Sequence, residues 1–563
     1  MGSFQRVFAL IIRVEMTPIR RRATDFHAAL ILANVLFFTS LYLLPWDGHY
    51  GIHTDSAQYL YPMIGFLKQD ARLIGNVPCL SLWGYKIPLK TVFYHGPYES
   101  WLSLPFLIPW GPSIAAVIIR DMFFGLINVV AAYLVAWALY KDQLTAFLAG
   151  LLMASSAELL FAARGAGVRS AISILGMEML ALYYLKRWHE TGKTAPLLAA
   201  AALLGLGAWT RDWFWGVLLA YGLCGALFFP VLKPRSLELI KTRPRTLAGA
   251  AFIFTIMGAP MLLGEAMDRF AGLRSIFQAQ VDSMALHAPP YRRILDSAVD
   301  MLAGVNGVVN FTYPIPRGGF LFPMLAVCAF SVVAMALARR AVGGGRIPRP
   351  LLLAPAFIIF YFPLNFLCPT GFKDDHLYPL LPFVYLLVAS APLFWKAGAA
   401  RRLAQVFFVP LIFFSACQNA ELVNRVGGEV RKTGGLGSNS SSAVNDAAFW
   451  LMERGIKRPL VPTCANTAVW DTLSFLGEGR LFPEHFPCPG AIHSQENQWP
   501  SARERAAMFS ARSPRYLLVP SYPPRSNPYP RLEQVLRSWG RKPRLSRIFP
   551  GKDGTPEFAI YRI

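Results

Sequence analysis

The sequence predicts a polytopic α-helical membrane protein that ends in a compact α/β domain on the non-cytoplasmic side. Three observations carry this. Of 563 residues, 54% are hydrophobic and only 15% charged, whereas soluble chains carry about 25% charged residues; the mean hydropathy is +0.39. The apolar residues gather into long runs, among them 28–44, 113–139, 247–263, 319–337 and 377–394, each near the roughly 20 helical residues that cross a hydrocarbon core. The basic residues fall in alternate loops between those runs.

In chain order, a cytoplasmic N-terminus (1–25) precedes a first span at 26–46. The short apolar stretch 7–12 is not a secretory core, and Arg20, Arg21 and Arg22 lead into a full-length span with no small-residue cleavage site after it, so the span is expected to stay as an anchor. A polar and aromatic first outer loop covers 47–112 and contains an amphipathic stretch, 98–110, expected to lie along the outer surface. Further spans are read near 113–139, 144–162, 170–185, 195–209, 213–232, 247–263, 319–338, 351–367, 377–395 and 403–418, about eleven in all. A large outer loop at 264–317 separates two of them.

With the N-terminus inside, the cytoplasmic loops hold Lys141; Lys186, Arg187 and Lys193; Lys233, Arg235, Lys241, Arg243 and Arg245; Arg339, Arg340, Arg346 and Arg349; and Lys396, Arg401 and Arg402. The opposite loops are poor in Lys and Arg, which is the positive-inside pattern. A crossing at 98–110 would reverse the bias in every later loop. The formal net charge of +23 is thus mostly an orientation signal. It forms no basic helix or aromatic-interleaved patch of the kind that reads a groove, which argues against nucleic acid as a partner.

The same alternation puts everything after about residue 420 outside. A Gly/Ser linker is read over 421–442, followed by a soluble α/β domain over 443–563, with a helix at 443–455 and strands at 459–462, 516–520 and 558–562. Cys464 and Cys488 lie in this domain, where oxidising conditions let them pair. Cys79 is left over, and Cys224, Cys328, Cys368 and Cys417 read as small apolar packing in or near spans. The seven cysteines show no zinc spacing.

Sorting polar residues by side collects His53, Asp55, Gln58, Tyr59, His95, Glu99, Arg164, Arg169, Arg211, Asp212, Lys373, Asp374, Asp375 and His376 on the outer face. Ionisable groups at span ends are costly unless they face a cavity or a partner. Asp55 is placed to take a proton from a hydroxyl, and Tyr59, four residues on, shares its helical face. On spacing alone, a helix N-cap is the simpler role for Asp55. His95 stands before Gly96-Pro97, a turn that starts a short helix bearing Glu99; an interfacial turn accounts for it equally. Arg164 and Arg169 bound a Gly-rich loop that suits phosphate oxygens or lipid headgroups. Arg211-Asp212 also reads as a local ion pair, and the run Lys373 to His376 also reads as a helix terminator.

In chain order these pieces resemble the GT-C superfamily of glycosyltransferases, particularly the branch of protein O-mannosyltransferases and lipid A aminoarabinose transferases. The matching landmarks are Asp55 with Tyr59; Tyr94, His95 and Pro97 ahead of Trp101; Arg164 and Arg169 in the second outer loop; and the charged run before Pro379 and Pro382. The resemblance covers most of residues 26–400. It implies transfer of a sugar from a polyprenyl-phosphate donor to a glycan, lipid or protein acceptor, with inversion and with Asp55 as general base. It implies substrate contacts from Tyr59, His95, Glu99, Arg164, Arg169, Arg211, Lys373 and His376, and membrane lipids around the spans; the lack of eukaryotic retention signals makes a bacterial inner membrane the expected location. Ser56 stands where many relatives have Glu, Asp375-His376 where Arg-Tyr is usual, and the second outer loop lacks the acid found in some relatives. Those departures leave a divalent-metal requirement open, and no other cofactor is implied.

Two other classes compete. A transporter or flippase calls for mid-membrane ionisable groups and an inverted repeat; Glu158, Glu178 and Glu265 are the few acids in or near spans, and no repeat is evident. A non-catalytic assembly protein leaves the charge at the outer rim unexplained. The topology is directly testable. A lone cysteine near Lys141, in a background without the native thiols, is expected to resist a membrane-impermeant maleimide added from outside. Labelling from outside would overturn the orientation.

Overall fold

The computed structural model describes residues 18–43, 54–69, 77–90, 96–163, 171–210, 214–271, 321–343, 347–364, 377–395, 398–433, 442–462, 468–477, 484–486, 515–520, 536–550 and 556–563, with a few isolated positions besides. It begins with α1 (Pro18–Leu43), α2 (Thr54–Lys68), a hairpin of β1 (Cys79–Leu82) and β2 (Tyr85–Pro88), and α3 (Tyr98–Trp110). The long apolar runs follow as α4 (Ile114–Tyr140), α5 (Gln143–Ala154), α6 (Ala157–Ala163), α7 (Ala171–Thr191), α8 (Thr194–Thr210), α9 (Phe214–Thr242), α10 (Pro244–Met267), α11 (Leu321–Gly343), α12 (Leu353–Leu364, after a 3₁₀ turn), α13 (Leu380–Ser390, followed by a 3₁₀ turn) and α14 (Ala399–Thr433). Taking α5 and α6 as one broken pass, each expected span has its helix. Five helices among the described residues are long and apolar enough to cross a membrane unaided.

Local chemistry explains the boundaries. Ser113 Oγ accepts from the Ala116 N–H at 3.2 Å and starts α4. Lys141 ends it in the left-handed region at φ 53°, and Asp142 Oδ1 then caps α5 by accepting from Thr145 N at 2.9 Å. The third expected span is interrupted at Ser155 and Ser156, where Ser156 Oγ accepts from Leu159 N at 3.2 Å and restarts the helix as α6. At 13 residues, α3 is about 20 Å long, short of the roughly 30 Å hydrocarbon core. It suits the surface-lying role expected of it.

The bundle closes around aromatic side chains, with Phe357 and Phe383 stacked at 3.7 Å between ring centroids. Small residues let helices approach closely, as in other membrane bundles. A Cβ on Gly125 would meet the Phe38 ring at 2.3 Å, and one on Gly205 would meet the Phe254 carbonyl oxygen at 2.8 Å and Met257 Cβ at 2.9 Å.

Helix α14 corrects one boundary. It continues to Thr433, past residue 421 where the linker is expected to start. The reason is burial: Leu422, Val423 and Val426 pack into the bundle core, so the chain gains more as helix than as free linker.

The remainder folds as α15 (Ser442–Glu453), β3 (Leu460–Pro462), α16 (Ala468–Gly477), β4 (Glu484–Phe486), β5 (Tyr516–Pro520), β6 (Arg544–Pro550) and β7 (Pro556–Arg562). The sheet order is β4-β3-β5-β7-β6, with β3 parallel to both β4 and β5, and β7 antiparallel to β5 and β6. Two strands, β4 and β6, go beyond the expected three. β4 is only three residues long, and β6 is exposed at all but one position, so neither shows a buried-strand pattern. One apolar cluster joins this domain to the first outer loop: Leu60, Met63 and Ile64 of α2 and Leu107 of α3 pack with Ala447, Leu451, Leu473 and Leu476. Cys79, Cys224, Cys328 and Cys417 are free thiols; Cys368, Cys464 and Cys488 lie outside the described residues, as does most of the 264–317 loop.

The packing at Gly205 predicts that Gly205→Leu pushes α8 from α10 and lowers the thermal midpoint, an overpacking cost of about 1–3 kcal/mol. Gly222→Leu, in α9, has nothing within 4 Å and serves as the control expected to melt like wild type.

Candidate active site at one end of the bundle

Two buried ionic clusters define one end of the bundle. In the first, Arg120 on α4 donates through Nε to Asp121 Oδ1 at 2.7 Å and through Nη1 to Ser103 Oγ of α3 at 3.2 Å. Its Nη2 lies 2.6 Å from the same Asp121 oxygen, and Nη1 lies 4.0 Å from Glu99 Oε1. Glu99, Ser103 and Leu107 recur at four-residue spacing, so they form the buried face of α3 that meets α4. In the second cluster, Lys90 Nζ sits 2.5 Å from Glu265 Oε1 and 3.3 Å from Asp268 Oδ2 at the end of α10, with Lys90 and Glu265 both 1% exposed.

Backbone-directed contacts complete the attachment. Tyr98 Oη donates to the Met257 carbonyl, and burial pushes its pKa up to about 12, so it stays a neutral donor. Trp101 Nε1 donates to the Pro88 carbonyl at 3.2 Å, which fixes the hairpin against α3. Gly96 lies against the end of α8, where a Cβ would fall 1.8 Å from the Trp209 carbonyl oxygen. Glycine is required there by the close backbone approach.

The hairpin and α3 are therefore seated over the ends of α4, α8 and α10. Helix α2, which packs on α3, carries Asp55 and Tyr59 on its backbone. Asp55 falls in the first turn of α2, which opens at Thr54. A carboxylate in that turn meets the positive end of the helix dipole. The side chains of Asp55 and Tyr59 lie outside the described residues, as do His95, Arg164, Arg169, Arg211, Lys373 and His376. Glu99 is the one candidate whose side chain is described, and it is 6% exposed beside Arg120.

The neighbours of the cation-bearing segments are nevertheless brought together. Helix α6 runs into the 164–169 loop, and α13 follows the 373–376 run. Tyr378 Oη donates to Glu158 Oε2 at 3.1 Å, and Tyr385 Oη donates to Ser156 Oγ at 2.7 Å. These contacts tie the approach to Arg164 to the exit from His376. The opposite end of the bundle has different pairs, Arg401 with Asp142 at 2.8 Å and Lys141 with Glu190 at 3.3 Å.

Sequence reading placed Arg120 and Asp121 inside a span and assigned Lys90 no role. Adjacent opposite charges near the start of an apolar run were the available signal, since such groups need a buried partner. Among the described residues, no cluster of three or more His, Cys, Asp and Glu is arranged to hold a metal. Removing the cation from the first cluster strands buried carboxylates. Arg120→Met is expected to cost about 3–5 kcal/mol, read as a lower thermal midpoint in detergent, with Arg120→Lys recovering part of it.

No family model and no curated protein sequence matches the chain. Solved structures do. ArnT from Cupriavidus metallidurans in the apo state superimposes with a TM-score of 0.58 at 12% identity, covering 96% of this chain and 98% of that one. The same protein bound to undecaprenyl phosphate gives a TM-score of 0.56 at 12% identity, covering 95% and 97%. The chain therefore shares the fold of ArnT over nearly its whole length, a polytopic helical fold as the sequence predicts.

Proposed function

We propose that this protein is a GT-C glycosyltransferase that moves a sugar from a polyprenyl-phosphate carrier to an acceptor on the non-cytoplasmic side, in a bacterial inner membrane. The observation that carries the reading is the near end-to-end likeness to ArnT, a fold also solved with undecaprenyl phosphate bound. It is supported by the position of Asp55 in the first turn of α2, which packs on α3.

In this reading the Asp55 carboxylate takes the proton of an acceptor hydroxyl. The freed oxygen pair attacks the anomeric carbon, and the bond from that carbon to the phosphate oxygen breaks on the opposite face. The configuration inverts, and polyprenyl phosphate leaves with the bonding pair. Negative charge grows on the phosphate as that bond lengthens, so cations fixed beside it lower the barrier more than they bind the donor. Arg164, Arg169, Arg211, Lys373 and His376 are the groups for that task. Tyr59, His95 and Glu99 are assigned to substrate positioning, Glu99 through its place beside Arg120.

Purified protein assayed against a panel of polyprenyl-phosphate sugars tests this. Asp55→Asn is expected to reduce release of polyprenyl phosphate by about 10²–10⁴-fold, the usual worth of a positioned base. Equal release by the variant would remove Asp55 from the mechanism. Absence of turnover with every donor, together with solute flux in liposomes, would replace the enzyme by a transporter.

A further inference from the structure

The edge of the C-terminal sheet carries an arrangement that neither the fold nor the proposed reaction uses. Arg544 of β6 stands directly opposite Arg562 of β7. Cross-strand neighbours have Cβ atoms about 5 Å apart, and like charges at that spacing are destabilising. The next β6 residue on that face would normally be Ser546. Instead the register shifts between Leu545 and Arg547, leaving Ser546 out of the ladder and pairing Arg547 with Ile560.

Ile560 and Arg562 share a face, so the bulge turns Arg547 to the same side as Arg544 and Arg562. An unbulged strand would send Arg547 to the other side. All three arginines are exposed, and none has a salt-bridge partner among the described residues. Trp450 of α15 packs on Tyr516 and Phe549 at 6.3 and 6.1 Å between ring centroids, and Arg454 stacks on Trp450 at 4.2 Å. A local backbone irregularity thus puts three exposed arginines on one side of the sheet edge, with no salt-bridge partner among the described residues. Guanidinium forks are planar and match the oxygens of a phosphate group, which accepts paired hydrogen bonds from each.

We infer that Arg544, Arg547 and Arg562 form an oxyanion site for a phosphate-bearing ligand from outside the bilayer, such as a phosphorylated saccharide. It uses none of the candidate active-site residues and does not depend on the proposed transfer reaction. A diffuse membrane-facing surface needs only scattered lysines, whereas a bulge that aligns three arginines selects a discrete anion.

The test uses the full chain in phosphatidylcholine nanodiscs, titrated calorimetrically with pyrophosphate and with glucose 6-phosphate, unphosphorylated glucose being the blank. Arg547→Gln is expected to weaken the phosphate-dependent binding component about tenfold, the loss of a charge-assisted contact. The triple variant Arg544→Gln, Arg547→Gln and Arg562→Gln is expected to abolish it. A second triple variant, Arg339→Gln, Arg340→Gln and Arg349→Gln, makes the same charge change elsewhere and is expected to bind as wild type. Thermal unfolding supplies an independent sign: relief of repulsion leaves the edge triple variant at least as stable as wild type without ligand, and unresponsive to pyrophosphate. Equal binding by wild type and the edge variant overturns the site, as does equal loss in the control variant. Stabilisation by phosphatidylglycerol in the disc, with no response to either soluble phosphate, overturns it in favour of a headgroup contact.

Discussion

The organisation of one end of the bundle depends on buried charges that hold the hairpin and α3 down on an apolar helical core. Lys90 and Arg120 are both removed from water, and each is held by carboxylates, Glu265 with Asp268 in one case and Asp121 with Glu99 in the other. A buried charge without its counterpart is far more costly than a buried pair, so these contacts admit one seating of the loop. That seating fixes α3, which carries Glu99 and Ser103. Helix α2 packs on α3, and the C-terminal domain packs on α2 through Leu60, Met63 and Ile64. Position is handed upward from ion pair to surface helix to domain.

The same logic governs where the bundle departs from helix. Helices of a membrane bundle satisfy their own backbone, so departures from helix are confined to their ends and to protein-lined positions. The break at Ser155 and Ser156 is of the second kind, since both residues are buried and Tyr385 holds Ser156. It redirects α6 just before the arginine-bearing loop, while Tyr378, two residues after His376, reaches back to Glu158. Two stretches separated by some two hundred residues are joined at their bases by tyrosine hydroxyls, at a spacing no local pattern encodes.

The C-terminal domain combines two kinds of surface. Its α2-facing side is apolar and continuous with the outer loop, as expected of a domain that rests on the bundle rather than swinging from a tether. Helix α14 supports this, since it stays ordered to Thr433 and buries Val423 and Val426. The distal strand β6 is nearly all exposed and rich in arginine, so the sheet runs from a packed interior to a charged edge.

Hydropathy located the helices that correspond to the eleven expected spans, because a segment of about 20 apolar residues has few alternatives to helix. The surface helix at 98–110, the α15 helix and the strand at Tyr516–Pro520 were also legible, each from a short periodic pattern bounded by turn residues. Asp55 and Tyr59 were legible as a pair on one helical face, since that relation is local. What the sequence left undetermined was every relation between distant segments: that Lys90 meets Glu265, that Arg120 faces α3, that Gly96 must clear the Trp209 carbonyl, and that a bulge at Ser546 aligns three arginines. The same residue types fit solvent, lipid headgroups or a buried partner equally well when read along the chain. Only tertiary packing decides among them, because the cost of a charge or a missing side chain depends on what surrounds it, and the surroundings come from other parts of the chain.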